Sequence, residues 1–302
     1  MMGVGIAARS ALAGNPTVLV SRRKEMLNIS ICQAESCIDE LYANGLVPVK
    51  QAAEAKQRLS ATLDWEEACA KACCVIESIQ EDLEAKQHLF CQLDAILPPS
   101  VPILSNTSGL RITDIAAKVQ YPQRTLTAHF WFPAHLVPFV EVVIGDQSSA
   151  EMAQQVRDML KDWGKQPVIV KKDLNGQLGN RILQAIIREA VNIVEIGLAE
   201  PEDVDLAIKY GMGLRFPVWG PLEHVDGVGI DLCYRVQQSV LPEISSSTQP
   251  AQLFQQKYEA GDLGYKTGKG FYDWSQKDMD QLARTRNEFI IYALRFLQEK
   301  QK

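Results

Sequence analysis

The sequence predicts an α/β protein: a mainly parallel sheet with helices on both faces, followed by an all-helical second domain. Three observations predict it. Short β-rich runs alternate with helical stretches from Thr17 to Val170, the pattern of a parallel sheet covered on both faces. After Lys172 the alternation stops, and apolar residues recur at helical spacing. The chain has 302 residues, 46% apolar and 23% charged, a globular balance that excludes disorder and makes two domains the starting expectation.

The elements follow in order. Ala7 to Ala13 is small and helical, with Gly14-Asn15-Pro16 as its stop, and Thr17 to Val20 is a short strand. Helices are expected over Lys24 to Ala43 and Lys50 to Leu59, and Asp64 is placed to cap a third. The apolar run Cys73 to Ile76 precedes a helix from Leu83 to Ile96, which Pro98-Pro99 ends. Strands are expected at Val101 to Leu104, Leu126 to Phe130, Val140 to Ile144 and Pro167 to Val170, with a helix over Ala150 to Trp163. Beyond the boundary, Asn180 to Leu198 carries Ile182, Leu183, Ile186, Ile187, Ala190, Ile193 and Val194 on one face, and Pro201 opens a helix to Tyr210. The expected domains are residues 1–172 and 173–302.

Charge and cysteine usage narrow the function classes. A net charge of −6 argues against nucleic acid, whose phosphates call for excess Lys and Arg. No apolar stretch approaches the roughly 20 residues of a membrane span. The seven cysteines are odd in number and contain no C-x-x-C pair, so neither a disulfide framework nor a metal site is implied, and a reducing cytoplasm is the expected compartment. The first charge, Arg9, follows the N-terminal apolar run, the reverse of a secretory signal.

Several residues sit where chemistry is placed. Gly3 and Gly5 precede a helix of small residues and then a strand, the second half of a β–turn–α–β unit whose glycines admit a pyrophosphate and tight helix packing. The first strand and leading glycines of that Rossmann-type fingerprint are absent. The end of the following strand holds Ser21, Arg22, Arg23 and Lys24 where a carboxylate would bind the ribose of NAD. A hydroxyl with two guanidinium groups suits the 2′-phosphate of NADP; the same residues also read as a solvated helix start. His129 follows a strand and opens a loop, where α/β sheets place catalytic groups. Glu141 lies inside the apolar run Phe139 to Val143. It either pairs with His129 and fixes its tautomer, or faces water from an edge strand. Asn106-Thr107-Ser108-Gly109 ends another strand, as ligand-binding residues or as a turn and cap, and Asn180 stands near the start of the long helix.

These pieces, in this order, resemble the 3-hydroxyacyl-CoA dehydrogenase family. Met2-Gly3-Val4-Gly5-Ile6-Ala7 looks like the end of its fingerprint, and Val75 to Leu83 is similar to V-x-E-A-x-x-E-x-L, with Lys86 in place. Asn106-Thr107-Ser108, His129-Phe130, Glu141, Gly176 with Asn180-Arg181, and Gly264 to Tyr272 match further family motifs. The resemblance implies an NAD- or NADP-dependent oxidoreductase acting on a small molecule, and a homodimer. Its implied roles are His129 as general acid–base, Glu141 orienting it, Ser108 and Asn180 on the substrate, and Glu81, Lys86 and Asn106 around the nicotinamide. Three departures stand out: the missing first strand, for which a chain truncated at its N-terminus is the expected cause; Ser21 for the usual Asp; and His129-Phe130-Trp131-Phe132-Pro133 for H-F-F-N-P, where Phe132 for Asn implies a pocket floor that is either more apolar or shaped for another acyl group. Gly211 to Phe216 resembles a subgroup that includes carnitine and gulonate dehydrogenases and lambda-crystallins, in which Arg215 would bind a free carboxylate or merely cap a helix. A short-chain 3-hydroxyacyl-CoA is thus the first substrate expectation. A free hydroxy acid, or a non-catalytic crystallin-like role, is the alternative.

Overall fold

The structure, a computed structural model, describes residues 2–300. The chain divides into two compact units. One comprises the residues up to Asn180 together with the chain from Ile290 onward; the other spans Arg181–Phe289.

The first unit is α/β. Its elements are α1 (Met2–Leu12), β1 (Thr17–Val20), α2 (Met26–Ala43), α3 (Val49–Gln57), β2 (Leu59–Thr62), α4 (Trp65–Ala70), β3 (Val75–Glu77), α5 (Leu83–Ile96), β4 (Ile103–Ser105), α6 (Ile112–Ile115), β5 (Thr125–Phe130), β6 (Phe139–Ile144), α7 (Ala150–Asp162) and β7 (Gln166–Val170). Helix starts follow local chemistry: the side chains of Asp64, Asp82 and Ser149 accept from the amides of Glu67, Ala85 and Met152 and so cap α4, α5 and α7.

The strands form two sheets. β1 and β2 pair in parallel, and β3-β4-β5-β6-β7 form a five-stranded sheet in sequence order. One strand differs from the sequence reading. Residues 59–62 end no helix but form β2, in register with β1 from Thr17↔Leu59 to Val20↔Thr62; four residues of mixed polarity carry little periodicity, and the neighbouring strand decides their state. The larger sheet is mainly parallel, as the sequence reading has it, with one antiparallel pair. β5 and β6 run antiparallel, which sets His129 directly opposite Glu141.

β5 is buried at all six positions, as expected for a strand with neighbours on both sides and helices on both faces. Its core packs Leu126, Ala128 and Phe130 against Val140, Val142 and the α7 residues Ala153, Val156 and Leu160. A second cluster joins α1, α2 and α3 and includes Ile291 from the chain's final helix. Below β5, Arg124 is fully buried and clamped: its guanidinium donates to Asp94 Oδ1 at 2.6 Å and to the carbonyls of Asp94, Leu97 and Pro98.

The second unit is helical. It contains most of α8 (Gly179–Glu195), then α9 (Pro201–Leu206) continuing into a π-helical turn (Ala207–Met212), α10 (Pro221–Val228), α11 (Ile230–Val240), α12 (Gln252–Glu259) and the first half of α13 (Met279–Lys300). Within Arg181–Phe289, Val191 alone is buried. No helix among the described residues is long and apolar enough to cross a membrane.

Removing Arg124 leaves Asp94 buried without its cation. Arg124→Ala is therefore expected to lower the unfolding free energy by about 3–5 kcal/mol, read from the urea midpoint; a loss below about 1 kcal/mol would show that the clamp contributes little.

Candidate active site

The site residues come from the C-terminal ends of β3, β4 and β5, where open α/β sheets bind ligands. The antiparallel strand β6 supplies one more. His129 and Glu141 are cross-strand partners, so their side chains leave the sheet on one face. His129 Nδ1 lies 2.7 Å from Glu141 Oε2. Glu141 is fully buried, which rules out an edge carboxylate facing water. It survives burial because every lone-pair direction is used. Oε1 accepts from the amides of Leu178 and Gly179, each at 2.8 Å, and Oε2 also accepts from the Trp131 indole N–H at 3.1 Å. Burial raises its pKa, but the bonds from His129, the Gly179 amide, Trp131 and the Leu178 amide outweigh that and hold it at about 2. Since an ionised carboxylate only accepts, His129 carries its proton on Nδ1 and leaves Nε2 as the acceptor.

A continuous chain of contacts joins most predicted site residues. Phe130, next to His129, donates its amide to Asn106 Oδ1 at 2.8 Å. Next to Gly179, Asn180 donates through Nδ2 to the Ser108 carbonyl at 3.2 Å. Ser108 and Gly109 donate their amides to Glu81 Oε1, which also accepts from the Thr107 hydroxyl. Glu81 Oε2 is 3.4 Å from Lys86 Nζ, and Lys86 donates to both oxygens of Glu77. Glu77 and Lys86 are each buried. Burial pushes the Glu77 pKa up against the lowering effect of Lys86; in half-exposed Glu81, the Thr107, Gly109 and Lys86 contacts outweigh burial and hold its pKa down. Ser108 itself is exposed.

Lys86 does not stand at an open surface: it is 1% exposed and locked to Glu77, so it supports Glu81 from behind. The remaining predicted residues lie elsewhere. A Cβ on Gly5 would stand 3.1 Å from Ala134 Cβ and His135 N, so α1 packs too closely there for any side chain. Above Gly3 nothing lies within 4 Å, leaving backbone open to a close-approaching group such as a phosphate. Ser21 Oγ turns back to the Arg23 backbone, whereas Arg22 and Arg23 are exposed. These features fit a dinucleotide: an approachable helix start and a cationic strand end. Arg215 is exposed in the helical unit. Phe132 is 50% exposed.

Four contributors were not anticipated. Trp131 and the amides of Leu178 and Gly179 hold Glu141, and Gln177, buried with a left-handed φ of 52°, donates to the Thr107 carbonyl at 3.2 Å. Such strain in a non-glycine residue persists only where the surroundings over-determine it.

The model of the 3-hydroxyacyl-CoA dehydrogenase NAD-binding domain matches residues 1–174, and that of the same enzyme's C-terminal domain matches residues 176–274. The chain belongs to the 3-hydroxyacyl-CoA dehydrogenase family. This dehydrogenase-family chain is an oxidoreductase with an NAD-binding domain. It is 35% identical over 277 residues to a probable 3-hydroxybutyryl-CoA dehydrogenase of Bacillus subtilis, covering 91% of this chain and 95% of the relative. It is 30% identical over 307 residues to the 5-formyl-3-hydroxy-2-methylpyridine 4-carboxylate 5-dehydrogenase of Mesorhizobium japonicum, covering 99% and 96%. A solved structure of a dehydrogenase of that pyridine carboxylic acid, described as an NAD+-dependent dismutase, superposes with a TM-score of 0.88 at 29% identity, covering 98% of this chain and 95% of that one. The (S)-3-hydroxybutyryl-CoA dehydrogenase of Ralstonia eutropha gives 0.74 at 32% identity, with 91% and 96% covered.

The depressed pKa of Glu141 makes a stability prediction for this family member. The carboxyl sits at about 2 when folded against 4.5 ordinarily, so its contribution is complete above pH 4.5 and is lost as pH falls towards 2. The shift corresponds to about 3 kcal/mol, with about 2 kcal/mol gone by about pH 3. Urea unfolding of wild type and Glu141→Gln across this range should show their difference shrinking accordingly; a constant difference would contradict the geometry.

Proposed function

We propose that the chain is a nicotinamide-dependent dehydrogenase that interconverts a hydroxyl and a carbonyl at C3 of a short-chain 3-hydroxyacyl-CoA, with His129 as the proton-transfer group. The observation that carries this is the His129 Nδ1–Glu141 bond, which fixes one tautomer and leaves Nε2 free. The cofactor, when bound, supplies the hydride acceptor or donor. In oxidation His129 Nε2 takes the proton of the substrate hydroxyl, and in reduction it returns that proton to the forming alkoxide. Glu141 stabilises the imidazolium between these events. Ser108 and Asn180, already joined to each other, bind the reacting oxygen and orient the carbon that bears it. Glu81, supported by Lys86, and Asn106 frame the nicotinamide side. Residues 1–172 are the cofactor domain in this reading, and residues 173–302 the substrate and dimerisation domain.

A free acid is the second reading for the substrate. The Mesorhizobium relative, whose named substrate is a pyridine carboxylate, aligns with 99% of this chain, and the exposed Arg215 offers a bidentate partner for a carboxylate. For the cofactor, Ser21, Arg22 and Arg23 favour NADPH over NADH, since the strand end lacks the carboxylate that binds a ribose diol. The helical unit buries only Val191 of its 109 residues, from 181 to 289. We assign its apolar faces to a second copy of the chain, and light scattering should return the mass of a dimer.

His129→Gln, folded by circular dichroism, should lose about 10²–10⁴-fold in kcat/KM; near-normal turnover would remove His129 from the mechanism. Acetoacetyl-CoA and small free keto acids, assayed side by side, decide between the two substrate classes. Arg22→Ala should weaken NADPH about tenfold in a fluorescence titration while sparing NADH; equal effects on both would refute the phosphate assignment.

A further inference from the structure

We infer that Trp131 is a positioning residue that sets the basicity of His129 by sharing the carboxylate oxygen that His129 uses. The inference rests on the reading of His129 as the proton-transfer group. Trp131 stands in the loop that β5 opens into, two residues beyond His129. Its indole N–H donates to Glu141 Oε2 at 3.1 Å, the same atom that lies 2.7 Å from His129 Nδ1. The other oxygen is occupied by the Leu178 and Gly179 amides, so the carboxylate cannot rotate without breaking two bonds.

The indole is built into place. Its ring meets Phe139 edge-on, with centroids 5.9 Å apart. A Cβ on Gly179 would fall 2.6 Å from Trp131 Cζ2, well inside van der Waals contact, and 3.2 Å from Phe139 Cε1. The lack of a side chain at Gly179 is thus what admits the six-membered ring of this tryptophan. A phenylalanine would fill most of the space but has no donor.

The chemical effect follows from competition at one acceptor. Two donors on Oε2 each withdraw electron density from it, so its pull on the imidazole proton is weaker than with His129 alone. A carboxylate with less free basicity stabilises imidazolium less. Glu141 is the charged group in contact with His129. The elements beside it, the end of β4 and the start of α8, present Asn106 and two backbone amides, none of which titrates.

The test is titration of the His129 imidazole by NMR, its Cε1–H signal assigned by its absence in His129→Gln. Trp131→Phe should raise the imidazole pKa by about half a unit, and the acid limb of kcat/KM for alcohol oxidation should move by the same amount. Gly179→Ala displaces the indole without altering Trp131, and should raise the pKa in the same direction; in the Trp131→Phe background it should add little, because the ring it displaces is gone. If rates fall in Trp131→Phe or Gly179→Ala while the imidazole pKa stays within about 0.1 unit of wild type, the indole only packs, and the inference is overturned. The NMR measurement needs no turnover. A wrong assignment of the catalytic group, seen as an active His129→Gln, is therefore distinguished from a wrong assignment of Trp131.

Discussion

A carboxylate fully removed from water governs the architecture around the site. An isolated ion at that depth is costly by several kcal/mol, so Glu141 is tolerable only with its four donors in place. Each donor comes from a different constraint. The antiparallel register brings His129, the loop beyond β5 brings Trp131, and the chain entering α8 brings the amides of Leu178 and Gly179. A one-residue slip of β6 would turn Glu141 to the other face of the sheet and leave all four without their acceptor. The same group that orients the imidazole thus ties the sheet to the start of a helix.

The segment after β5 is held as firmly as the strand itself. Gly179 admits Trp131 on one side, and Gly5 lets α1 approach Ala134 and His135 on the other. Two basic side chains, buried Lys165 and partly buried Arg9, fix its carbonyls: Lys165 donates to those of Ala134 and Val137, and Arg9 to that of His135 at 2.6 Å. Burial pushes the Lys165 pKa well down, helped by nearby Arg9. His135 in turn meets Glu40 of α2 at 2.6 Å. A loop whose backbone acceptors are already satisfied by side chains has little freedom to reorganise, which is what a preorganised proton-transfer site requires.

Much of this was legible in the residues. An expensive Glu inside an apolar run, with a histidine at a neighbouring strand end, offers a pair as one of two readings, and only the burial of Glu141 decides against a water-facing edge carboxylate. The strands whose apolar residues are buried were equally readable. What escaped was information that side chains do not carry. Leu178 and Gly179 act through their amides, and a backbone donor leaves no trace in residue type. The left-handed Gln177 is set by its surroundings rather than by its propensity, and β2 is a strand because β1 lies beside it. Trp131 was noticed as a departure in the motif, but which donor its indole would meet depended on the register of β6. For Lys86 the family likeness supplied the position and not its depth; its pairing with Glu77, nine residues earlier, appears only in the structure.

The way the α/β unit is completed bears on how the chain is made. Ile290 and Ile291 pack into the cluster formed by α1, α2 and α3, and Arg295 donates to the Asn44 carbonyl. The layer of α1, α2 and α3 is therefore finished by a segment translated long after it. At roughly 5–20 residues per second, the helices near the N-terminus wait on the order of ten seconds for the segment that seals them. During that interval Leu12, Ile38 and Leu41 lack part of their final cover, and the nascent chain depends on whatever shields them in the meantime.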